Sequence, residues 1–194
     1  MTYIALIVAA VLVGVDQLIK YIVDTTMSVG DSIAVWNGVF HWTYIHNTGA
    51  AFGIFENQRW LLVGLTSVVI LLLIIVLLLK KIKSPFLIWS LSLIIAGGIG
   101  NLIDRIFRHY VIDYIEVRFI NFAVFNFADC CVVVGTILVV CYLLFGDLVS
   151  HRLEERRRRK HPELFSGDSA LEEDASRPKP SDTVTVDWEE HHAE

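Results

Sequence analysis

Trp60-Leu-Leu-Val-Gly-Leu-Thr-Ser-Val-Val-Ile-Leu-Leu-Leu-Ile-Ile-Val-Leu-Leu-Leu79 runs without a single charge. A helix of about 20 such residues crosses the hydrocarbon core of a bilayer. Three further stretches of this kind lie outward of it, at about 3–23, 86–103 and 127–146. The first carries Asp16 and Lys20, the third ends in Asn101-Leu-Ile-Asp104-Arg105, and the fourth opens with Asp129 nearby. The first lacks a basic leader and a clear small-residue cleavage site, so it reads as a retained span and not as a signal peptide. The expected fold is an all-α membrane protein with four transmembrane helices. A small extracytoplasmic β-platform is added to it by residues 30–55 and 113–122.

The composition agrees. Of 194 residues, 55% are hydrophobic and the mean hydropathy is +0.57, although the C-terminal end is strongly polar. That apolar excess therefore sits in residues 1–150, which form the expected membrane domain. Residues 151–194 read as a disordered cytoplasmic tail, first basic and then acidic, with too few apolar residues to pack a core. The net charge of −5 includes no basic body of the kind that binds nucleic acid, and none is expected as a partner. Cys130, Cys131 and Cys141 are odd in number and fit neither a disulfide framework nor a metal site. They read as small apolar side chains.

Lys/Arg placement sets orientation. Lys80, Lys81 and Lys83 lie between spans two and three, and Arg152, Arg156, Arg157, Arg158, Arg159 and Lys160 follow span four. Those segments belong on the cytoplasmic side. Both termini are then inside, and the segments 24–59 and 104–126 are outside.

Ser32-Ile-Ala-Val-Trp36, Asn37-Gly38 and Val39-Phe-His-Trp-Thr-Tyr-Ile45 together make a hairpin signature, because Asn-Gly tolerates the positive φ angles of a type I′ turn. Phe40, Trp42 and Tyr44 then share one strand face. Tyr114–Ile120 is also strand-like and is a candidate third strand, with Asp113 in the loop before it. Asn47-Thr-Gly-Ala-Ala-Phe-Gly53 follows the hairpin. Its small residues suit close backbone approach or simply a tight entry into span two.

Charges inside spans are expensive and call for a reason. Asp16 and Lys20, four residues apart, share a helix face and can pair, either orienting the first helix or serving a site. Asn101 and Arg105 share a face after Gly97, Gly98 and Gly100, small residues that permit tight helix packing. Arg105 suits recognition of a carbonyl or carboxylate, or else pairing with Asp104 and reaching to headgroups. Asp129 is either a reactive carboxylate or a charge at a helix N-terminus. With the orientation above, Asp16, Lys20, Asn47, Asn101, Asp104, Arg105, Asp113, Asn126 and Asp129 all approach one leaflet. A conduction path would spread polar groups through the full thickness.

No nucleophile elbow, metalloprotease helix or Cys/His ligand set occurs. Two aspartates within about 3 Å of each other share one proton, so one acts as base toward water while the other polarises a carbonyl. Spacing does not say which two of Asp16, Asp104, Asp113 and Asp129 pair. A small proton- or solute-coupled carrier is the alternative at this level.

Five blocks decide further: Asp16-Gln-Leu-Ile-Lys20, Asn47-Thr-Gly-Ala-Ala-Phe-Gly53, Ala96-Gly-Gly-Ile-Gly-Asn-Leu-Ile-Asp-Arg105, Val111-Ile-Asp-Tyr114 and Phe125-Asn-Phe-Ala-Asp129. In this order on a four-span frame, the chain over residues 5–148 resembles lipoprotein signal peptidase (signal peptidase II), a bacterial membrane aspartic endopeptidase family. The resemblance implies a catalytic pair at Asp113 and Asp129. It places Asn47, Gly49, Asn101 and Arg105 on the substrate, and gives Asp16, Lys20, Gly97, Asn126 and Ala128 supporting roles. Asp104 is then an anchor for span three. It further implies no metal or cofactor, a lipid-modified prolipoprotein as substrate, membrane lipids as surroundings, a monomer, and a site at the outer face of the bacterial cytoplasmic membrane. Tyr114 stands where phenylalanine is usual, and Cys130 where a small hydroxyl residue is common.

Overall fold

Apolar runs of this length leave a chain in lipid one economical choice, the α-helix, which satisfies its backbone internally. In the computed structural model, which describes residues 1–49 and 55–160, those runs are α1 (Thr2–Thr26), α2 (Arg59–Leu78), α3 (Pro85–Phe107) and α4 (Phe127–Lys160). Each contains a segment long and apolar enough to cross a bilayer. Helix α3 is the central one. Half of its apolar window is buried in protein, against 22% or less in the other three, most of whose apolar side chains face outward.

Helix α3 starts where Ser84 caps it and Pro85 occupies the first turn, whose N–H groups have no helical partner to lose. Ala5, Ile70, Leu77, Ile88, Leu91 and Ile95 form the core it shares with α1 and α2. Apolar burial drives little association in lipid, so close packing must contribute instead. A β-carbon on Gly97 would lie 2.1 Å from the Ala128 carbonyl oxygen, so the backbones of α3 and α4 touch there. This is the tight packing expected of the Gly97–Gly100 run.

Between the helices, β1 (Ser32–Trp36), β2 (Phe40–Asn47) and β3 (Val111–Val117) form an antiparallel sheet in the order β1-β2-β3. Tyr44, Ile112 and Tyr114 pack with Val23 of α1, and Trp42 stacks on Tyr114 with ring centroids 5.1 Å apart. Such a pair contributes about 0.5–1.5 kcal/mol beyond its buried area. The aromatic face expected of Phe40, Trp42 and Tyr44 thus ties the sheet to the end of α1.

Three expectations are corrected. Gly38 takes a positive φ of 72° but Asn37 does not, and the Val39 N–H bonds the Trp36 carbonyl at 2.9 Å. That is a type II pattern in place of type I′. Its poorer match to strand twist is absorbed by a bulge between Ala34 and Trp36. The third strand begins at Val111 and ends at Val117, where 113–122 was expected. Val111 and Ile112 find partners in Asn47 and His46, so Asp113 lies on a strand and not in a loop. Finally, the span Phe127–Gly146 lies where expected, but its helix continues to Lys160, so residues 151–160 of the expected disordered tail are helical. Residues 147–160 contain neither glycine nor proline and are rich in Leu, Glu, Arg and Lys, all good helix formers. Residues 50–54 of the expected platform and the tail 161–194 lie outside the described residues.

Candidate active site

The site is organised by the N-terminus of α4. A helix begins with N–H groups that have no helical acceptor. Here each of the first three is met by a side chain from a different place. Phe127 N–H donates to the Tyr114 hydroxyl of β3 (3.2 Å), Ala128 N–H to Asp16 Oδ1 of α1 (3.1 Å), and Asp129 N–H to Asn126 Oδ1 (3.0 Å). The Asn126 N–H returns to Asp129 Oδ2 at 3.1 Å. Asn126 and Asp129 therefore form a reciprocal capping box. The helix-terminus reading of Asp129 and its place in the site hold together, since capping uses only one carboxylate oxygen.

Asp113, facing Ile45 across the sheet, comes to the same place. Its Oδ2 accepts from Asn47 Nδ2 (2.8 Å) and its Oδ1 from Asn126 Nδ2 (2.6 Å). Asp129 Oδ1 accepts from Asn101 Nδ2 at 2.7 Å. All four oxygens of the two carboxylates are thus held by amide N–H groups of three residues, Asn47, Asn101 and Asn126, the last through both its side chain and its backbone. Burial, and next the charge of Asp129, push the Asp113 carboxyl up to about 7, against the opposing pull of its two asparagine donors. A carboxyl so placed carries a proton at near-neutral pH, which an ordinary aspartate does not.

Asn47, Asn101, Arg105, Asp113 and Asp129 line one cavity of about 420 Å³, together with apolar groups that include Phe122, Phe125, Val132 and Val133. Arg105 Nη2 donates to the Gly49 carbonyl at 2.9 Å, and the Gly49 N–H to Asn47 Oδ1 at 2.9 Å. The structure therefore gathers Asn47, Gly49, Asn101, Arg105, Asp113, Asn126 and Asp129 around that space. Among the described residues, no group of three or more His, Cys, Asp or Glu side chains converges as a metal site.

Asp16, Lys20 and Asp104 lie behind it. The Lys20 ammonium sits 2.9 Å from Asp16 Oδ2 and 2.9 Å from Asp104 Oδ2, and donates to Asn101 Oδ1 at 2.9 Å. Gly100 makes room for this arrangement, since a β-carbon there would lie 2.5 Å from Asp16 Oδ2. Asp104 also pairs with Arg108 at 2.8 Å and accepts the Ile112 N–H at 3.3 Å, tying the end of α3 to β3. Among the described residues Arg105 makes no ion pair with Asp104, and Arg108, four residues on along the same helix face, makes one instead.

Sequence reasoning missed two contributors. Arg108 is four residues after Asp104 on the same helix face, a spacing that could have found it. Gln17 bonds Asp16, Asp104 and the Gly100 carbonyl through one amide, and nothing in its neighbourhood announced this.

Comparison with known proteins gives a consistent picture. Residues 8–145 match the family model described as Signal peptidase (SPase) II. The chain is 42% identical over 140 residues to the lipoprotein signal peptidase of Streptococcus thermophilus (strain CNRZ 1066), covering 72% of this chain and 92% of that protein. It is 39% identical over 147 residues to that of Clostridioides difficile (strain 630), covering 76% and 97%. A solved bacterial membrane enzyme, determined by the in meso method at 1.9 Å resolution, superposes with a TM-score of 0.67 at 32% identity. That match covers 72% of this chain and 92% of the other.

Proposed function

The chain belongs to the signal peptidase II family and is a multi-pass membrane peptidase acting on lipoprotein precursors, and from that premise we propose that Asp113 and Asp129 are its catalytic pair. The observation that carries this is the arrangement of the two carboxyl groups on one cavity, every oxygen fixed by an amide donor, with Asp113 raised to about 7. A carrier is not favoured by this family membership.

In this reading Asp113 holds the single proton and Asp129 is ionised. Asp129 removes a proton from water as its oxygen attacks the scissile carbonyl carbon. Asp113 gives its proton to the carbonyl oxygen, so the tetrahedral intermediate forms neutral. On collapse, Asp129 returns a proton to the leaving nitrogen and the C–N bond breaks. The hydroxyl proton goes back to Asp113, and the pair regains its starting charge. Each such proton transfer is worth about 10²–10⁴ in rate. Fixed amide donors keep both carboxyls from reorganising during the step.

Arg105 and Asn47 line the cavity with donors to spare for a peptide backbone, and Gly49 is held beside them. The apolar lining suits a substrate delivered from lipid. The substrate is a prolipoprotein whose cysteine carries a diacylglyceryl group, cut just before that cysteine. A lipid-anchored substrate is confined to one membrane face. The Lys/Arg asymmetry puts both termini in the cytoplasm and the cavity at the outer face of the cytoplasmic membrane. The enzyme works as a monomer.

A gel-shift assay with a diacylated prolipoprotein tests the pair. Asp113→Asn and Asp129→Asn each lose at least about 10³-fold in cleavage while melting as folded proteins in detergent. Wild-type cleavage by either variant would reject the assignment.

A further inference from the structure

We propose that Lys20 is a positioning residue for Asp129: by donating to the Asn101 side-chain oxygen it decides which end of that amide faces the carboxylate. The inference rests on the catalytic reading of Asp113 and Asp129 above.

The two ends of an asparagine amide have nearly the same shape, so its neighbours must choose its orientation. An ammonium group has donors only. At 2.9 Å from Lys20 Nζ, the facing atom of Asn101 is its oxygen. The NH₂ end is thereby turned to Asp129 Oδ1, 2.7 Å away. Asn126 Nδ2 donates to the same Asn101 oxygen at 3.1 Å, so a second donor acts in the same sense. Asn126 belongs to the α4 cap itself, however, whereas Lys20 reaches the pair from α1.

The donors of Lys20 are fully used. Two of its three N–H groups meet Asp16 and Asp104, and the third meets Asn101. The Asp16 contact stays within α1, and the Asp104 contact alone would hold α1 to α3. The third bond joins this buried cluster to the cavity. With the amide reversed, the Asn101 oxygen would face an Asp129 oxygen. The carboxylate would then lose a donor and meet an acceptor, and its use as a base would suffer.

Charge balance provides the test. Asp16 and Asp104 are offset by Lys20 and Arg108. Lys20→Met alone leaves one negative charge in excess. Lys20→Met with Asp104→Asn restores neutrality and still lacks the donor to Asn101. Cleavage of a diacylated prolipoprotein and thermal melting are measured in detergent for wild type, both variants and Asp113→Asn.

The expected result is a charge-balanced double variant that melts near wild type, with kcat down about 10- to 100-fold, the range for losing a hydrogen bond to a charged group. Recovery of wild-type kcat in the double variant would mean that Lys20 only neutralises charge, and would overturn the proposal. A double variant that does not fold would overturn it too, since a bond that aims Asn101 is dispensable for folding. Wild-type cleavage by Asp113→Asn would instead defeat the catalytic reading, and is read separately.

Discussion

Replacing Asn47 by leucine should move the alkaline limb of the activity profile to higher pH. Asn47 Nδ2 lies 2.8 Å from Asp113 Oδ2 and favours the ionised carboxylate, opposing the burial and the Asp129 charge that raise it to about 7. A hydrogen bond to a charged group is worth about 1.5–3 kcal/mol, and about 1.4 kcal/mol corresponds to one pKa unit. Losing this donor therefore raises Asp113 by about 1–2 units, to about 8–9. The reaction needs Asp113 protonated, so activity falls as pH rises through its pKa, and the fall comes later in the variant. Leucine is close to asparagine in shape and leaves little room for a replacement water. Asn47 also lines the cavity, so the height of the profile drops as well, but the position of the limb does not depend on the height. The assay is kcat/KM for a diacylated prolipoprotein across pH 5–10, which reports the free enzyme. A limb that stays in place or moves to lower pH would refute the reasoning.

Three further expectations follow from other parts of the structure. Asp113 is raised in the folded protein above its ordinary 3.8, so its stabilising contribution is complete below that value and is lost as pH climbs through about 7. Asp113→Asn should therefore melt higher than wild type at pH 8, by about 3 kcal/mol more than at pH 4.5, and an equal difference at both pH values would contradict this. Gly97→Ala puts a β-carbon 2.1 Å from the Ala128 carbonyl oxygen, so the backbones of α3 and α4 must separate. Overpacking of this kind costs about 1–3 kcal/mol or more, and a lowered melting temperature with reduced cleavage should be seen. A Gly97→Ala enzyme as stable and active as wild type would deny the close contact. In a variant without Cys130, Cys131 and Cys141, a cysteine at Asn37 should react with a membrane-impermeant maleimide on intact cells, and one at Lys81 only in inverted vesicles. The reverse pattern would invert the orientation.

The parts of the fold legible in the sequence are those governed by local patterns. The four spans follow from apolar runs that leave the backbone no partner but itself, and the Asp16–Lys20 contact follows from a four-residue spacing on one helix. The hairpin was visible at Asn37-Gly38, but the type of turn was not, because either type accepts glycine at its second central position. Contacts between distant segments were hidden. Asp104 joins Lys20 only because α1 and α3 lie side by side, and Asp113 meets Asn126 only because β3 lies beside the entry to α4. Arg105 was the natural partner for Asp104 by adjacency, yet consecutive helical residues point about 100° apart and Arg108 lies on the right face. The candidate pair itself came from resemblance. Asp113 and Asp129 have no sequence spacing of their own, since a strand, a turn and a helix cap separate them.

Infrared spectroscopy of the carboxyl C=O stretch tests the one-proton pair most directly. At pH 6 the wild-type enzyme should show a protonated carboxyl band that disappears with a midpoint near 7 and is missing from Asp113→Asn. In Asp129→Asn, where the neighbouring charge is gone, the midpoint should fall. If the Asp113→Asn spectrum matched wild type across that range, Asp113 would not hold the proton, and the proposed division of roles between the two aspartates would be wrong.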